Sequence, residues 1–434
     1  MTMKTIWDKS SLPRFEALEG DVKTDVLIIG GGMAGILCAY MLECEGVDYI
    51  LIEKDRICRG VTANTTAKIT SQHGLIYGKL IREFGAEAAR MYYEANESAI
   101  GRFHALCSDI DCNFEKKDAY VYSLNRLGKL EKELRALEVI GANADYVKSI
   151  PLPMKTVGAI RFENQAQFDP LKFICGIAPR LNIFEQTKAI AHDGRSVICN
   201  RARITAQKII CATHFPFINK HGLYFAKMYQ HRSYVLALEG AQDVEGMYID
   251  ESKHGLSFRN YNGTLLLGGG SHRTGKKGGN WNVLSDFAKS HYPNAREICR
   301  FATQDCMTLD GIPYIGQYSK STPDFYVATG FNKWGMTSSM VASELLCDMV
   351  LGRKNRYSAL FSPSRTMLRT QLAVNLFETT VNLITPTRPR CPHLGCALKW
   401  NREEHTWDCP CHGSRFDEKG ELLNGPATGR LKRK

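Results

Sequence analysis

One run constrains this chain more than any other: Asp25-Val-Leu-Ile-Ile-Gly30-Gly-Gly32-Met-Ala-Gly35. Val26 to Ile29 are apolar without alternation, the habit of a parallel strand buried on both faces. The spacing Gly30-x-Gly32-x-x-Gly35 then suits a tight turn, a close backbone approach to a diphosphate, and a helix packed hard on the strand. A helix over Ile36 to Glu45 follows, with Gly46 placed to stop it. A second apolar strand, Tyr49 to Ile52, ends on Glu53, 23 residues beyond Gly30, where a carboxylate reaches the ribose hydroxyls of an adenosine. This order predicts a dinucleotide held at a helix N-terminus, whose free N–H groups attract phosphate. It also removes a competing reading. Val26 to Leu42 is an uncharged, mostly apolar run of seventeen residues, just short of the roughly 20 that span a bilayer, and it reads better as strand plus helix. The motif alone does not choose between NAD and FAD.

A chain of 434 residues at 44% hydrophobic and 10% aromatic predicts two or three domains with a large core, and excludes collagen-like, coiled-coil and disordered classes. Met1 to Leu12 lacks an apolar h-region, so no secretory signal is expected. Eleven of the fifteen cysteines are scattered, as suits packing thiols in a reducing cytoplasm rather than a disulfide scaffold. The net charge of +11 is spread along the chain and runs into Lys432-Arg433-Lys434. No nucleic-acid-binding signature accompanies it. Solubility accounts for such a surface; attraction of an anionic cofactor or an acidic redox partner is the functional alternative.

Beyond the fingerprint, several segments resemble the D-amino-acid oxidase/glycine oxidase superfamily of FAD-dependent oxidoreductases over residues 20–365. Gly60-Val-Thr62-Ala-Asn-Thr-Thr66-Ala resembles the small-residue loop around the flavin, Phe168-Asp169-Pro170 a link into a helix, and Lys208 to Thr213 the strand returning to the FAD domain. Leu309-Asp310-Gly311-Ile-Pro313 and Ala328-Thr-Gly330-Phe-Asn-Lys333-Trp-Gly335-Met336-Thr337 resemble the paired C-terminal motifs. The resemblance implies an α/β fold: a Rossmann-like FAD-binding domain (about 20–75, 150–215 and 305–365) interleaved with an antiparallel-sheet, α+β substrate domain (about 76–205 and 215–305). It implies FAD contacts from Gly30, Gly32, Gly35, Glu53, Thr62, Thr66, Asp310, Gly311, Gly330, Gly335, Met336 and Thr337. The helix predicted over Thr337–Leu351 would turn its positive end toward the flavin ring. Arg259, before a hairpin with its turn at Asn262-Gly263, looks like a roof residue that grips a substrate carboxylate; an exposed strand arginine is the plainer alternative. Lys333 would tune the ring or its reaction with oxygen, or else be a solvated loop lysine. His214 and His272 are assigned no role.

The remaining four cysteines crowd into Cys391-Pro-His393-Leu-Gly-Cys396 and Cys409-Pro-Cys411-His412-Gly-Ser414. This C-x-H and C-x-x-H pair resembles the Rieske iron–sulfur signature; zinc is the alternative for such ligands, although neither half keeps a C-x-x-C pair. The resemblance implies a 2Fe–2S cluster with Cys391 and Cys409 on one iron and His393 and His412 on the other. It implies a disulfide between Cys396 and Cys411, a hydrogen bond from Ser414 to a cluster sulfur, a covering loop at Gly425-Pro426-Ala427, and a lowered potential where Phe416 replaces a tyrosine. Residues 387–434 would be a cut-down Rieske domain lacking its base subdomain. The 366–386 linker reads as a helix with an apolar seam of Leu368, Leu372, Leu376 and Phe377. A module this small needs outside support.

Together these readings describe an enzyme oxidising a small amine or amino acid on FAD, with electrons relayed through the cluster to or from an unidentified partner. An oxygen-using oxidase with a structural cluster and a non-catalytic redox sensor are the alternatives.

Overall fold

The computed structural model describes residues 5–432 apart from Ser10, Asn219, Lys220, Lys253 and Gly279; Arg433 and Lys434 of the basic ending and Met1 to Lys4 lie outside the described residues. Three sheets organise the chain. The first is built on Val22–Ile29, flanked in parallel by Tyr49–Ile52 and Arg203–Cys211. It continues in parallel to Ile183–Phe184 on one side and Phe325–Thr329 on the other, with Tyr314–Gln317 antiparallel at the edge. Helices Met33–Cys44 and Gly335–Val350 bury Ile36, Leu37, Met340 and Leu345 in the main core beside this sheet. Both start at the carboxyl ends of parallel strands, where a doubly wound sheet leaves its binding crevice.

The second sheet has nine strands, with Arg296–Thr308, Met228–Glu239, Thr264–Arg273 and Ser257–Tyr261 adjacent in that order. The expected hairpin is present, Ser257–Tyr261 pairing antiparallel with Thr264–Arg273, and its turn places Asn262 and Gly263 at φ +46° and +74°, as a two-residue hairpin loop requires. The sheet is not wholly antiparallel as anticipated: Met247–Asp250 runs parallel to Glu115–Ser123. Lys68–Ile69 also joins it, so the chain enters this layer directly after the loop around the dinucleotide site.

The third sheet is small and antiparallel, formed by Lys399–Asn401, Thr406–Asp408, Arg415–Phe416 and Leu422–Asn424. Its own core is a handful of side chains around Cys391, Leu398, Cys409 and Phe416. The linker does form a helix, Thr370–Ile384, but its face differs from the predicted seam. Leu368, Leu376 and Phe377 are 84%, 52% and 68% exposed, whereas Asn375 and Asn382 are buried. Hydrogen bonds orient this helix: Asn375 accepts from Arg273 at 3.0 Å and donates to the Ala226 carbonyl, the Asn382 side chain donates to the Glu378 carbonyl at 2.8 Å, and the Asn382 backbone carbonyl accepts from Ala397 N at 2.9 Å. Burying those amides against polar partners outweighs burying the leucines, because an unpartnered amide would cost more than an exposed side chain.

Candidate functional site

The predicted glycines each do a different steric task. Gly30 sits at φ +112°, and a Cβ there would meet the Ala212 carbonyl oxygen at 2.6 Å; a Cβ on Gly35 would meet the Gly30 oxygen at 1.9 Å. Gly32 faces open space, where the nearest atom a Cβ would meet is Thr62 Oγ1 at 3.7 Å. The same hydroxyl accepts from Met33 N at 3.1 Å, and the first turn of the Met33–Cys44 helix carries no acidic residue to compete for an anion. Glu53 accepts from Gly31 N at 2.8 Å, and burial raises its carboxyl above the ordinary range despite that bond and one from Asp55 N. This is a cradle into which a phosphate fits and a side chain would not.

Gly30, Gly32, Glu53, Thr62, Thr66, Gly330, Lys333, Gly335 and Met336 all line one continuous cleft of ≈2470 Å³ between the first two sheets. A volume of that order admits a dinucleotide and a small substrate together. Gly335 leaves open space at the start of the Gly335–Val350 helix, so its backbone can approach a planar ring. The remaining predicted contacts are set back from the lining. Gly35 is packed on Gly30. Asp310 is buried in a two-bond ion pair with Arg365 at 2.7 and 2.9 Å, and Gly311 donates its N–H to Thr308. Thr337 spends its hydroxyl on the Thr70 carbonyl at 3.2 Å.

Arg259 has a different setting from the expected roof position. It is fully buried, donates from Nη1 to the Thr66 and Ala67 carbonyls at 2.6 and 2.9 Å, and lies over the Trp7 and Tyr261 rings. Burial brings its pKa down to about 10. Strand alternation sends it to the core face, where it braces the loop around the cleft instead of facing a substrate. The cations that do reach the cleft include Lys333 and Lys68. Lys333 is exposed on the cleft wall and donates from Nζ to Ser271 Oγ at 2.6 Å; desolvation by the surrounding protein lowers its pKa, against the pull of Asp305. Asp305, which is buried, is raised to about 6 by desolvation, held back by Lys333 and Arg232. Burial lowers Lys68 to about 7, with Arg259 adding to the effect.

His214, given no role from sequence, lines the cleft with Nε2 buried and unpartnered among the described residues. Burial holds it neutral with a pKa of about 4, and it hydrogen-bonds the Gln304 backbone. His272 stacks on Tyr234 at 5.8 Å and makes a long, 3.4 Å contact to the Gly270 carbonyl.

The C-terminal cysteines and histidines lie near one another in the third module. The His393 and His412 rings are perpendicular with centroids 5.0 Å apart. His412 is buried, its Nδ1 lacks a protein partner among the described residues, and desolvation keeps it neutral at about 4. Hydrogen bonds from Cys391, Cys396 and Cys411 pull the Cys409 thiol far below its ordinary value, so a thiolate is ready to bind metal. Ser414 hydrogen-bonds the Cys391 sulfur and accepts from Ala427 N at 3.0 Å, joining the Gly425–Ala427 loop to the cluster loops. The donor set, Cys391 and Cys409 with His393 and His412, is chemically suited to a 2Fe–2S cluster of the two-cysteine, two-histidine kind. The Sγ atoms of Cys396, Cys409 and Cys411 lie within 4.8 Å of one another, and the structure records Cys396 and Cys411 as thiols. That sulfur trio is the tighter group, but it leaves the convergence of two imidazoles unexplained, whereas the two-cysteine, two-histidine set uses them.

The module is seated on the second sheet. Arg232, from Met228–Glu239, and Arg415 both pair with Glu404, Arg415 at 3.0 Å and Arg232 through Nε at 2.8 Å; Arg415 also reaches Asp408 at 3.0 Å. All four side chains are at most 7% exposed. Gln230 and Gln304 bond the second ligand loop, and Glu404, Arg415 and Gly425 complete one wall of the cleft. Nothing in the strand patterns marked these sheet residues beforehand, because alternation says which side chains share a face and not what covers it.

Comparison with known proteins agrees with both halves. The family described as FAD dependent oxidoreductase (DAO) matches residues 25–349, and the Rieske 2Fe–2S domain family matches residues 363–433, taking in the linker helix. The Bacillus subtilis protein YhfW, named as a Rieske 2Fe–2S iron–sulfur protein, is 37% identical across 99% of this chain and 97% of its own length. A cytochrome b6-f complex iron–sulfur subunit from Nostoc punctiforme is 54% identical over 37 residues, 8% of this chain and 21% of that one. Among solved structures, glycine oxidase from Geobacillus kaustophilus superposes with a TM-score of 0.67 at 16% identity, covering 80% of this chain and 99% of that one, a likeness of fold.

Proposed function

Because this chain belongs to the DAO family of FAD-dependent oxidoreductases and ends in a Rieske 2Fe–2S domain, we propose that it oxidises a small amine or amino acid in the cleft and relays the electrons through its cluster to or from a redox partner. One observation carries this reading: the loop bearing His412 is seated on the same three strands that wall the cleft. Bound FAD supplies two-electron acceptance, and the 2Fe–2S cluster supplies one-electron transfer.

The chain's own residues do the rest. Gly30, Gly32 and the N-terminus of Met33–Cys44 would hold the diphosphate and Glu53 the ribose, and Arg259 braces the Thr66–Ala67 segment of the cleft wall. The N-terminus of Gly335–Val350 offers its positive end where negative charge accumulates. Lys333, held by Ser271 and facing buried Asp305, presents a positive charge to an anionic substrate group. Asp305, poised near neutrality, can take up the proton that an ammonium substrate must lose before oxidation.

The test is anaerobic mixing of the loaded protein with a panel of small amines and amino acids. Flavin bleaching followed by cluster reduction is the expected sequence. Bleaching with the cluster left oxidised would favour an oxidase with a structural cluster, and no bleaching with any member would remove the amine assignment.

A further inference from the structure

The second ligand loop is held in an unusual way. Every carbonyl from Pro410 to Gly413 accepts a hydrogen bond from a side chain of the second sheet. Arg273 donates to Pro410 through Nε at 3.1 Å and to Cys411 through Nη2 at 3.0 Å. Gln230 Nε2 donates to His412 at 2.8 Å and Gln304 Nε2 to Gly413 at 2.8 Å. The three donors stand on three neighbouring strands, Thr264–Arg273, Met228–Glu239 and Arg296–Thr308. Gln304 also donates to Gln230 Oε1, so the two amides act as one unit, each 2% exposed. Contact is close on both sides: a Cβ on Gly413 would meet Gln230 at 2.6 Å, and one on Gly275 would meet Pro410 N at 2.6 Å. The first ligand loop is held differently, its Gly395 carbonyl accepting from Arg390 of its own module at 2.8 Å.

We propose that Arg273, Gln230 and Gln304 are positioning residues forming a fixed cradle for the second cluster loop, and that this cradle sets both the cluster's potential and the rate at which electrons pass between cleft and cluster. The proposal rests on the relay reading above. Two consequences follow from the geometry. Four carbonyls anchored to a sheet leave the His412 loop no freedom to swing, so transfer proceeds across one standing interface. His412 itself is buried there, its ring 5.9 Å from that of Phe225, whereas His393 is only half-buried. Donors to the carbonyls also polarise each peptide, making the adjoining N–H groups more positive around the cluster sulfurs. Such polarisation, with the Arg273 charge beside Cys409 and Cys411, favours the reduced cluster and raises its potential. From the cleft, His214 meets the Gln304 backbone, so Gln304 spans the wall between the two sites. The step this cradle would serve is one-electron transfer: bound reduced flavin would give up its two electrons one at a time and release its N5 proton, and the cluster would hand each electron to the redox partner before taking the next.

The experiment uses the full chain loaded with FAD and cluster. Gln230→Met and Gln304→Met keep length and bulk but donate nothing. In the double variant, the cluster should keep its paramagnetic resonance intensity and the flavin its rate of chemical reduction. Flavin-to-cluster transfer should slow at least tenfold, and the cluster midpoint potential should fall. Arg273→Lys, which keeps the charge but loses the two-carbonyl grip, provides the same readouts should the double variant fail to hold its cluster; it should slow transfer with a smaller fall in potential. Unchanged transfer and potential in a variant with an intact cluster would overturn the cradle while leaving the relay standing. Absence of transfer in the wild-type protein would overturn the relay, and the cradle with it.

Discussion

Replacing Glu404 with glutamine should loosen the cluster module from the flavoprotein, by an amount the structure allows to be worked out. Glu404 is 3% exposed and lies between Arg232 of the second sheet and Arg415 of the module. Burial alone would raise its pKa, but the two guanidiniums overcome that and bring it from 4.5 down to about 2. At about 1.36 kcal/mol for each tenfold in proton affinity, that drop corresponds to roughly 3 kcal/mol of stability in the charged state. The figure agrees with the cost of removing one partner from a buried ion pair, typically about 3–5 kcal/mol. Glu404→Gln leaves Arg415 with Asp408 and Arg232 with only the field of Asp305 among the described acids, so a loss of about 3 kcal/mol is expected. Denaturant unfolding followed by the visible absorption of the cluster reads the module directly, and proteolysis within 366–390 reports its release. The sign of the pH effect is fixed. A carboxyl depressed in the folded state stabilises it fully above its unfolded value near 4.5, and that contribution fades as pH falls toward 2. Wild-type module stability should therefore fall over that window, and the variant should lack this component. A variant as stable as wild type, with the same acid dependence, would refute the reasoning.

Three further outcomes follow. Gly35→Ala should abolish flavin binding, because its methyl would lie 1.9 Å from the Gly30 carbonyl oxygen; the flavin content of the purified protein measures this. Lys333→Met should raise the Asp305 pKa above its value of about 6, since Lys333 is the leading charge holding it down. The pH profile of flavin reduction by substrate should move to higher pH, with a loss of at least tenfold in kcat/KM. Cys409→Ser should eliminate the 2Fe–2S signal, whereas Cys396→Ser and Cys411→Ser should retain it with reduced thermal stability; iron content and paramagnetic resonance distinguish these ligand sets.

The two cofactor sites were legible in sequence for the same reason: each is a local motif whose spacing is dictated by its ligand. The glycine turn needs only its own strand and helix, and each cluster ligand pair comes from one short loop. Arg259 was not legible in this way. Its place before a hairpin gave the strand correctly, but the face it occupies depends on Trp7 and Tyr261, the first of them far away in the chain. The linker helix shows a complementary difficulty, because its pattern of leucines marked a seam while the hydrogen bonds of Asn375 and Asn382 decided its orientation. Gln230, Gln304 and Arg273 carry no sequence signal at all: they matter through four loop carbonyls more than a hundred residues away.

The most direct measurement is rapid freezing of the loaded protein at successive times after anaerobic reduction of its flavin, with paramagnetic resonance reading the cluster. Electrons handed across the seated His412 loop should make a Rieske-type signal grow as flavin reduction is reversed, within a single chain and independent of protein concentration. A cluster signal that never develops, or whose apparent rate constant rises in proportion to protein concentration, would contradict an internal relay.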